Sequence, residues 1–224
     1  MQLVFATNNE HKLEEARSIL SGIKVVSLSD IGLHAEIPED GATLEENSMF
    51  KCRYVTEFIL NHSELFSMLD GCFSDDTGLE IAALGGAPGV HTARWAGEKV
   101  DSAANRHKAL TELQNATDRS AQFRTVVTLA LFGKTASLKS AAFEGQIESE
   151  GVKTIRFEGT VQGKIAMQEY GEHGFGYDSV FIPLGYKNTF AELPSEVKNS
   201  ISHRSRALEK MNELLKKSSN HFVI

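Results

Sequence analysis

Residues 123–132 read Phe-Arg-Thr-Val-Val-Thr-Leu-Ala-Leu-Phe, and β-branched or apolar side chains occupy both parities of this run. A strand with one wet face would alternate apolar and polar positions, so this one is expected to be covered on both sides. Shorter strand candidates lie upstream at 3–6 and 25–28, and downstream near 138–148, 152–161 and 180–182. Between them run patterns of helical period. Leu13, Ala16, Ile19 and Leu20 follow a polar Thr7 or Asn8 suited to an N-cap. Thr43 and Glu46 have capping-box spacing before a helix carrying Phe50, Tyr54, Val55, Phe58 and Ile59, with Asn47 and Lys51 on one face. Asp101 or Ser102 opens a helix through Leu110 and Leu113, and Ser202 one with Ala207, Leu208, Met211, Leu214 and Leu215 on its buried side. Residues 61–71 read as a variable connection. The expected architecture is mixed α/β, a long sheet with helices on both sides.

The rest of the composition narrows the class. With 224 residues, the chain suffices for one large α/β domain or two joined lobes, and a 41% hydrophobic, 24% charged composition is ordinary for a globular protein. Only 4 prolines and 18 scattered glycines are present, with no linker-like tract, so residues 1–224 are read as one folding unit. Lys and Arg total 23 against 30 Asp and Glu, a net charge of −7, which argues against binding along a nucleic-acid backbone. The apolar run at the N-terminus is too short for a signal peptide or a span, giving the expectation of a cytoplasmic protein with no membrane partner. Cys52 and Cys72 lack any CxxC or Cys/His pattern and read as reduced thiols.

Four segments carry residue types suited to chemistry. Thr7, Asn8, Asn9, Glu10, His11 and Lys12 stand at a strand-to-helix junction, where backbone N–H groups favour phosphate, although simple capping explains the same residues. Asp75-Asp76-Thr77-Gly78 follows a short apolar strand and reads as an acidic turn offering hard oxygen ligands and a base for water. If the backbone stayed extended there, the two carboxylates would face opposite ways. Glu36, Glu39 and Asp40 add carboxylates in a polar loop. Phe175-Gly176-Tyr177-Asp178 follows Gly171 and Gly174 and presents an aromatic ring and a carboxylate to a flat base, or else a core aromatic beside a turn. Ser202-His203-Arg204 sets a cation at a helix start, with Lys198 just upstream.

These segments occur in a recognisable order. FATNNEHK, EDGATLEEN followed by Lys51, SDDTGL, LGGAPGVHTARW, GFGYD and ISHRSRAL resemble the inosine triphosphate pyrophosphatase family, the dITP/XTP pyrophosphatases, across nearly the whole chain. The resemblance implies an elongated mixed sheet in two lobes with a nucleotide cleft, usually in a homodimer, and Mg2+-dependent hydrolysis of a purine nucleoside triphosphate such as ITP, dITP or XTP to the monophosphate and pyrophosphate. It further implies that Thr7, Asn8, Asn9, Glu10, His11 and Lys12 bind the triphosphate and that Lys51 adds a cation. Asp76 becomes proton acceptor and metal ligand, supported by Asp75 and Glu39, with Glu36 or Glu46 as alternatives to Glu39. Thr77 contacts substrate; Phe175, Gly176, Tyr177 and Asp178 form the base pocket; Lys198, His203 and Arg204 complete substrate binding. The sequence departs from the family pattern in its longer 61–71 connection and in Ser74 and Thr77, which stand where Ala and Ser are common.

Overall fold

The computed structural model describes residues 1–133, 147 and 151–219. Seven strands are found among them: β1 (Gln2–Phe5), β2 (Lys24–Val26), β3 (Gly71–Ile81), β4 (Pro88–Gly89), β5 (Ser120–Phe132), β6 (Val152–Ile165) and β7 (Phe181–Pro183). The helices are α1 (Glu10–Ile19), α2 (Leu44–Leu60), α3 (Ser63–Met68), α4 (Ser102–Glu112), α5 (Ser195–Ile201) and α6 (His203–Ser219). The strands follow the order β2-β1-β3-β5-β6-β7, with β4 paired to β3 off this path. β1 runs parallel to β2 and β3, whereas β4 is antiparallel to β3 and β7 to β6, so the sheet is mixed.

Contacts divide the chain into two compact units. The first comprises residues 1–76, 126–158 and 207–224, and its sheet is apolar on both faces. Leu3, Phe5, Phe73, Val127, Leu129 and Leu131 pack with Leu13 and Ala16 of α1 and with Ala207, Leu208 and Met211 of α6. Val4, Cys72, Ala130 and Phe132 pack with Cys52, Val55 and Ile59 of α2. Alternate residues of β1 and β5 thus serve opposite cores, as the apolar run at 123–132 requires. The second unit, residues 77–125 and 159–206, has one core, in which Leu79, Ile81, Phe123, Val161 and Phe181 meet Ala109 and Leu113. Full burial of one such Leu or Phe contributes about 1.5–3 kcal/mol, against about 0–1 kcal/mol for an exposed ion pair, so apolar burial rather than surface charge holds each unit.

Local chemistry sets the element ends, with some corrections to expectation. The cap of α1 is Asn9, whose side chain accepts from Lys12 N at 3.1 Å; Thr7 instead accepts from Asn9 N. Thr43 caps α2 through Glu46 N, while the Glu46 carboxylate turns back to Ala42 N at 2.6 Å, one residue short of the reciprocal box. Asp101 caps α4 and Ser202 caps α6. The second strand ends at Val26, because Leu28 to Gly32 folds into a tight turn. Residues 61–71 are not merely a connection: they hold α3, whose Leu65 and Phe66 lean on the α2-side core. On α2, Phe50 and Tyr54 are exposed, and the buried stripe contains Asn47, Ser48, Lys51 and Thr56. The strand expected near 138–148 lies outside the described residues apart from Ile147. No helix among the described residues is long and apolar enough to cross a membrane.

Candidate active site

The acidic motif is strand, not turn. β3 continues through Asp75, Asp76, Thr77 and Gly78 to Ile81, so successive side chains go to opposite faces. Cys72, Ser74 and Asp76 all meet α2. Cys72 Sγ lies 3.1 Å from Thr56 Oγ1 and 3.8 Å from Cys52 Sγ, and Ser74 Oγ is 3.1 Å from Ser48 Oγ. Ser48 also donates to Thr128 at 2.9 Å. The intervening residues face the other way: Phe73 stacks on Phe5 with ring centroids 4.4 Å apart, and Asp75 accepts from Lys12 Nζ of α1 at 2.8 Å. Both cysteines are free and buried, and burial pushes the Cys52 thiol well above its usual range.

On the α2 side, Asn47 and Lys51 lie one helical turn apart and both reach Asp76. Lys51 Nζ donates to Asp76 Oδ1 at 3.0 Å and to Glu39 Oε1 at 2.6 Å; Asn47 Nδ2 donates to Asp76 Oδ2 at 3.3 Å. Burial pulls the Lys51 ammonium down, but Asp76, Glu39 and Asp75 together outweigh it and leave its pKa raised. For Asp76 burial dominates, and the nearby Lys51 and Lys12 do not fully offset it, so this carboxyl is more basic than an ordinary aspartate. Asp76 and Glu39 converge on one cationic centre with hard oxygen donors. That set fits a magnesium ion, which takes one or two carboxylates and completes its shell with water and phosphate oxygens.

Asp75 does not join them. Strand alternation carries it to the α1 side, and no group of three or more His, Cys, Asp or Glu placed to hold a metal occurs among the described residues. Of the alternatives to Glu39, Glu46 is committed to the α2 cap and Glu36 is exposed. The 7–12 segment leaves Asn8, Asn9, Glu10 and His11 exposed, with Lys12 partly buried above Asp75. Its backbone N–H groups and positive helix end suit an anion.

The remaining expected residues belong to the second unit. Lys198 Nζ donates to Asp178 Oδ2 at 2.6 Å, and the same oxygen accepts from Phe175 N at 2.8 Å. Gly174 has φ +79°, and a Cβ there would stand 2.2 Å from that oxygen, so only glycine fits the turn. Lys198 Nζ and Arg204 Cζ lie 4.8 and 5.8 Å from the centre of the Phe175 ring, both within cation–π range. Arg204 Nη2 reaches Thr77 Oγ1 at 3.4 Å, and Thr77 Oγ1 is 2.8 Å from Thr125 Oγ1. His203 stacks on Phe123 with centroids 4.6 Å apart. Tyr177 is the exception in its motif. Its ring belongs to the core and its hydroxyl donates to Thr92 O, so it anchors the loop rather than presenting a face.

Three supporting residues escaped the sequence reading. Arg106 donates to Gly176 O at 2.9 Å and to Glu169 Oε2 at 2.7 Å, pinning the 175–178 loop to α4. Thr125 and Phe123 back Thr77 and His203 from β5. Nothing local marks any of them, because each acts across 48 or more positions of the chain. A cavity of about 360 Å³ in the second unit, lined by Arg119, Lys164, Tyr170 and Lys187, includes none of the expected site residues. There Arg119 caps the carbonyls of Leu113, Ile165 and Ala166.

Residues 3–214 match the Ham1 family. A dITP/XTP pyrophosphatase of Flavobacterium johnsoniae is 41% identical over 96% of this chain and 98% of its own length. One from Porphyromonas gingivalis is 42% identical over 96% and 97%. Among solved structures, the Ham1 protein of Staphylococcus aureus aligns with TM-score 0.74 at 33% identity over 97% of this chain and 99% of its own, and a HAM1 protein of Coxiella burnetii with TM-score 0.76 at 31% identity over the same shares. With a match over nearly its full length, and with a mixed sheet flanked by helices like those of its solved relatives, the chain belongs to the Ham1 family.

Proposed function

We propose that this protein hydrolyses non-standard purine nucleoside triphosphates, ITP, dITP and XTP, to the nucleoside monophosphate and pyrophosphate, removing deaminated purines from the nucleotide pool. The observation that carries the chemistry is the buried Asp76 carboxylate, made more basic by burial and held by Lys51 and Asn47 beside Glu39. The substrate class follows the relatives, which are named dITP/XTP pyrophosphatases.

Asp76 takes a proton from the attacking water as its oxygen bonds to the α-phosphorus, and the bond from that phosphorus to the bridging oxygen breaks to release pyrophosphate. A carboxyl with raised pKa is the better proton acceptor near neutral pH. Lys12, Lys51 and the N–H groups of residues 7–12 offset the triphosphate charge. Magnesium, held by Asp76 and Glu39 when bound, neutralises phosphate oxygens and acidifies water. Asp75 serves by fixing Lys12. In the second unit, Phe175 stacks on the purine, Asp178 and Lys198 set the loop that presents it, Thr77 contacts substrate, and donors at His203 and Arg204 read the 6-keto oxygen. A 6-amino base leaves those donors unpaired, which disfavours ATP. The chain acts as a single domain over residues 1–224, as a cytoplasmic homodimer.

Product analysis tests the reading: purified protein with magnesium is given ITP, dITP, XTP, ATP, GTP and UTP, and pyrophosphate is separated from orthophosphate. Pyrophosphate from the first three, with little from ATP or UTP, is expected, and GTP, which shares the 6-keto oxygen, shows whether the pocket reads more than that atom. Orthophosphate release would make it a phosphatase, and binding without turnover a nucleotide sensor.

A further inference from the structure

Asn47, in the first turn of α2, is a polar residue only 3% exposed, at a depth where an apolar side chain would ordinarily pack. Both ends of its amide are engaged. Nδ2 donates to Asp76 Oδ2 at 3.3 Å, and Oδ1 accepts from Gly41 N at 2.8 Å. Gly41 lies two residues beyond Glu39, which is tied to Lys51, one turn along the same helix face. Asn47 and Lys51 therefore make parallel bridges from α2, each joining the 39–41 loop to one oxygen of Asp76. The fit is tight: a Cβ on Gly41 would lie 2.7 Å from Asn47 Oδ1 and 2.8 Å from Glu46 Cβ, so the loop approaches only because residue 41 is glycine.

From this geometry we infer that Asn47 is a positioning residue for the hydrolysis: its amide fixes the rotation of the Asp76 carboxylate and ties that setting to the 39–41 loop. The inference rests on the reading of Asp76 as proton acceptor. A carboxylate held only by Lys51 would pivot about its single ammonium contact; the second donor removes that freedom. Partners of this kind, one step removed from the reacting groups, typically change activity by about 10–100-fold when removed.

Two substitutions separate the halves of the bridge. Asn47→Asp keeps an acceptor for Gly41 N but replaces the donor to Asp76 with a like charge; Asn47→Ala removes both. The assay uses ITP with magnesium and gives kcat and KM separately, beside thermal melting in metal-free buffer. Positioning predicts a kcat lower by about 10–100-fold in both variants, KM within threefold of the parent because the triphosphate contacts are intact, and Asn47→Asp no better than Asn47→Ala. A purely structural tether predicts the reverse order, with Asn47→Asp close to the parent and Asn47→Ala chiefly lowered in melting temperature; that result, or parental kcat in both, overturns the inference. Should either variant fail to fold, Gly41→Ala crowds Asn47 from the surface loop and is expected to show the same fall in kcat at unchanged KM; parental kcat there counts against the inference. Asp76→Asn is assayed alongside. If it turns over normally, the reading of Asp76 fails and takes this inference with it; if it is inactive while the Asn47 variants match the parent, only the positioning role fails.

Discussion

Asp75 and Asp76 are adjacent on the chain, yet their carboxylates answer to different helices: Asp75 accepts from Lys12 of α1 at 2.8 Å and Asp76 from Lys51 of α2 at 3.0 Å. Each carboxylate hydrogen-bonds the lysine on its own side of the strand, while the charges still act across it: Asp75 helps raise the pKa of Lys51, and Lys12 acts on Asp76.

Neutralising each carboxylate should therefore have a different effect. Asp76→Asn removes the proton acceptor and is expected to lower kcat on ITP by at least about a thousandfold, within the range lost when one of a coupled set of reacting groups is removed. Asp75→Asn releases Lys12 and removes a smaller part of the field on Lys51, so KM should rise more than kcat falls. Equal loss of kcat in both would contradict the division of labour. Circular dichroism checks that both variants fold.

The raised pKa of Lys51 has a consequence for alkaline stability. The folded protein holds this proton more tightly than the unfolded chain, whose lysine loses it near 10.5. The associated stability is complete below that value and is lost as pH rises through the higher folded pKa. Asp76 is raised as well, so its contribution is complete below 3.8 and is lost as pH climbs through its higher folded pKa. Urea unfolding midpoints followed from about pH 9 to about pH 12 should fall in the parent and fall less in Lys51→Met. Parallel curves would remove Lys51 from the account.

In the second unit, the Lys198–Asp178 pair is almost fully buried at 2.6 Å. Removing one partner strands the other charge, a loss of about 3–5 kcal/mol. Asp178→Asn and Lys198→Met should each destabilise on that scale in urea titrations, and the double variant should recover part of it. Preference for ITP over ATP should narrow in all three, because the Phe175 loop loses its anchor. If the double variant is as unstable as the sum of the singles, the two residues are not coupled.

Cys52 and Cys72 sit 3.8 Å apart with no exposure, and burial disfavours the Cys52 thiolate, the reactive form. Both thiols should resist a thiol-reactive dye in the native protein and react stoichiometrically in urea. Fast native labelling would show that the α2–β3 seam opens.

Much of this arrangement is written locally. The two-sided apolar run of β5, the Thr43, Asp101 and Ser202 caps and the stripe of α6 all depend on neighbours within a few residues, and the structure places them as read. The misreadings share a cause. Asp75-Asp76-Thr77-Gly78 has turn chemistry, but pairing within the sheet keeps it extended, a non-local effect that overrides local preference. On α2, helical spacing shows which residues share a stripe but not which stripe is covered. The spacing places Asn47 and Lys51 on one face but does not say that this face, with Ser48, is the covered one and that Phe50 and Tyr54 are exposed. The burial of Asn47, Ser48 and Lys51 makes sense only once Ser74 and Asp76 stand opposite them.

The alternation of β3 also makes the motif sensitive to chain length. Residues 61–70 can gain or lose positions by reshaping α3 and its flanks. From Gly71 to Asp76 there is no such latitude: Gly71 is pinned, since a Cβ there would lie 2.2 Å from Ala130 O, and inserting or deleting one residue after it would invert the parity. Asp75 would then face α2 and Asp76 would face α1, with every residue type still present. A change of two residues would restore the parity but carry both carboxylates about 7 Å along the strand, out of reach of Lys12 and Lys51, so the length of this stretch is fixed as firmly as its composition.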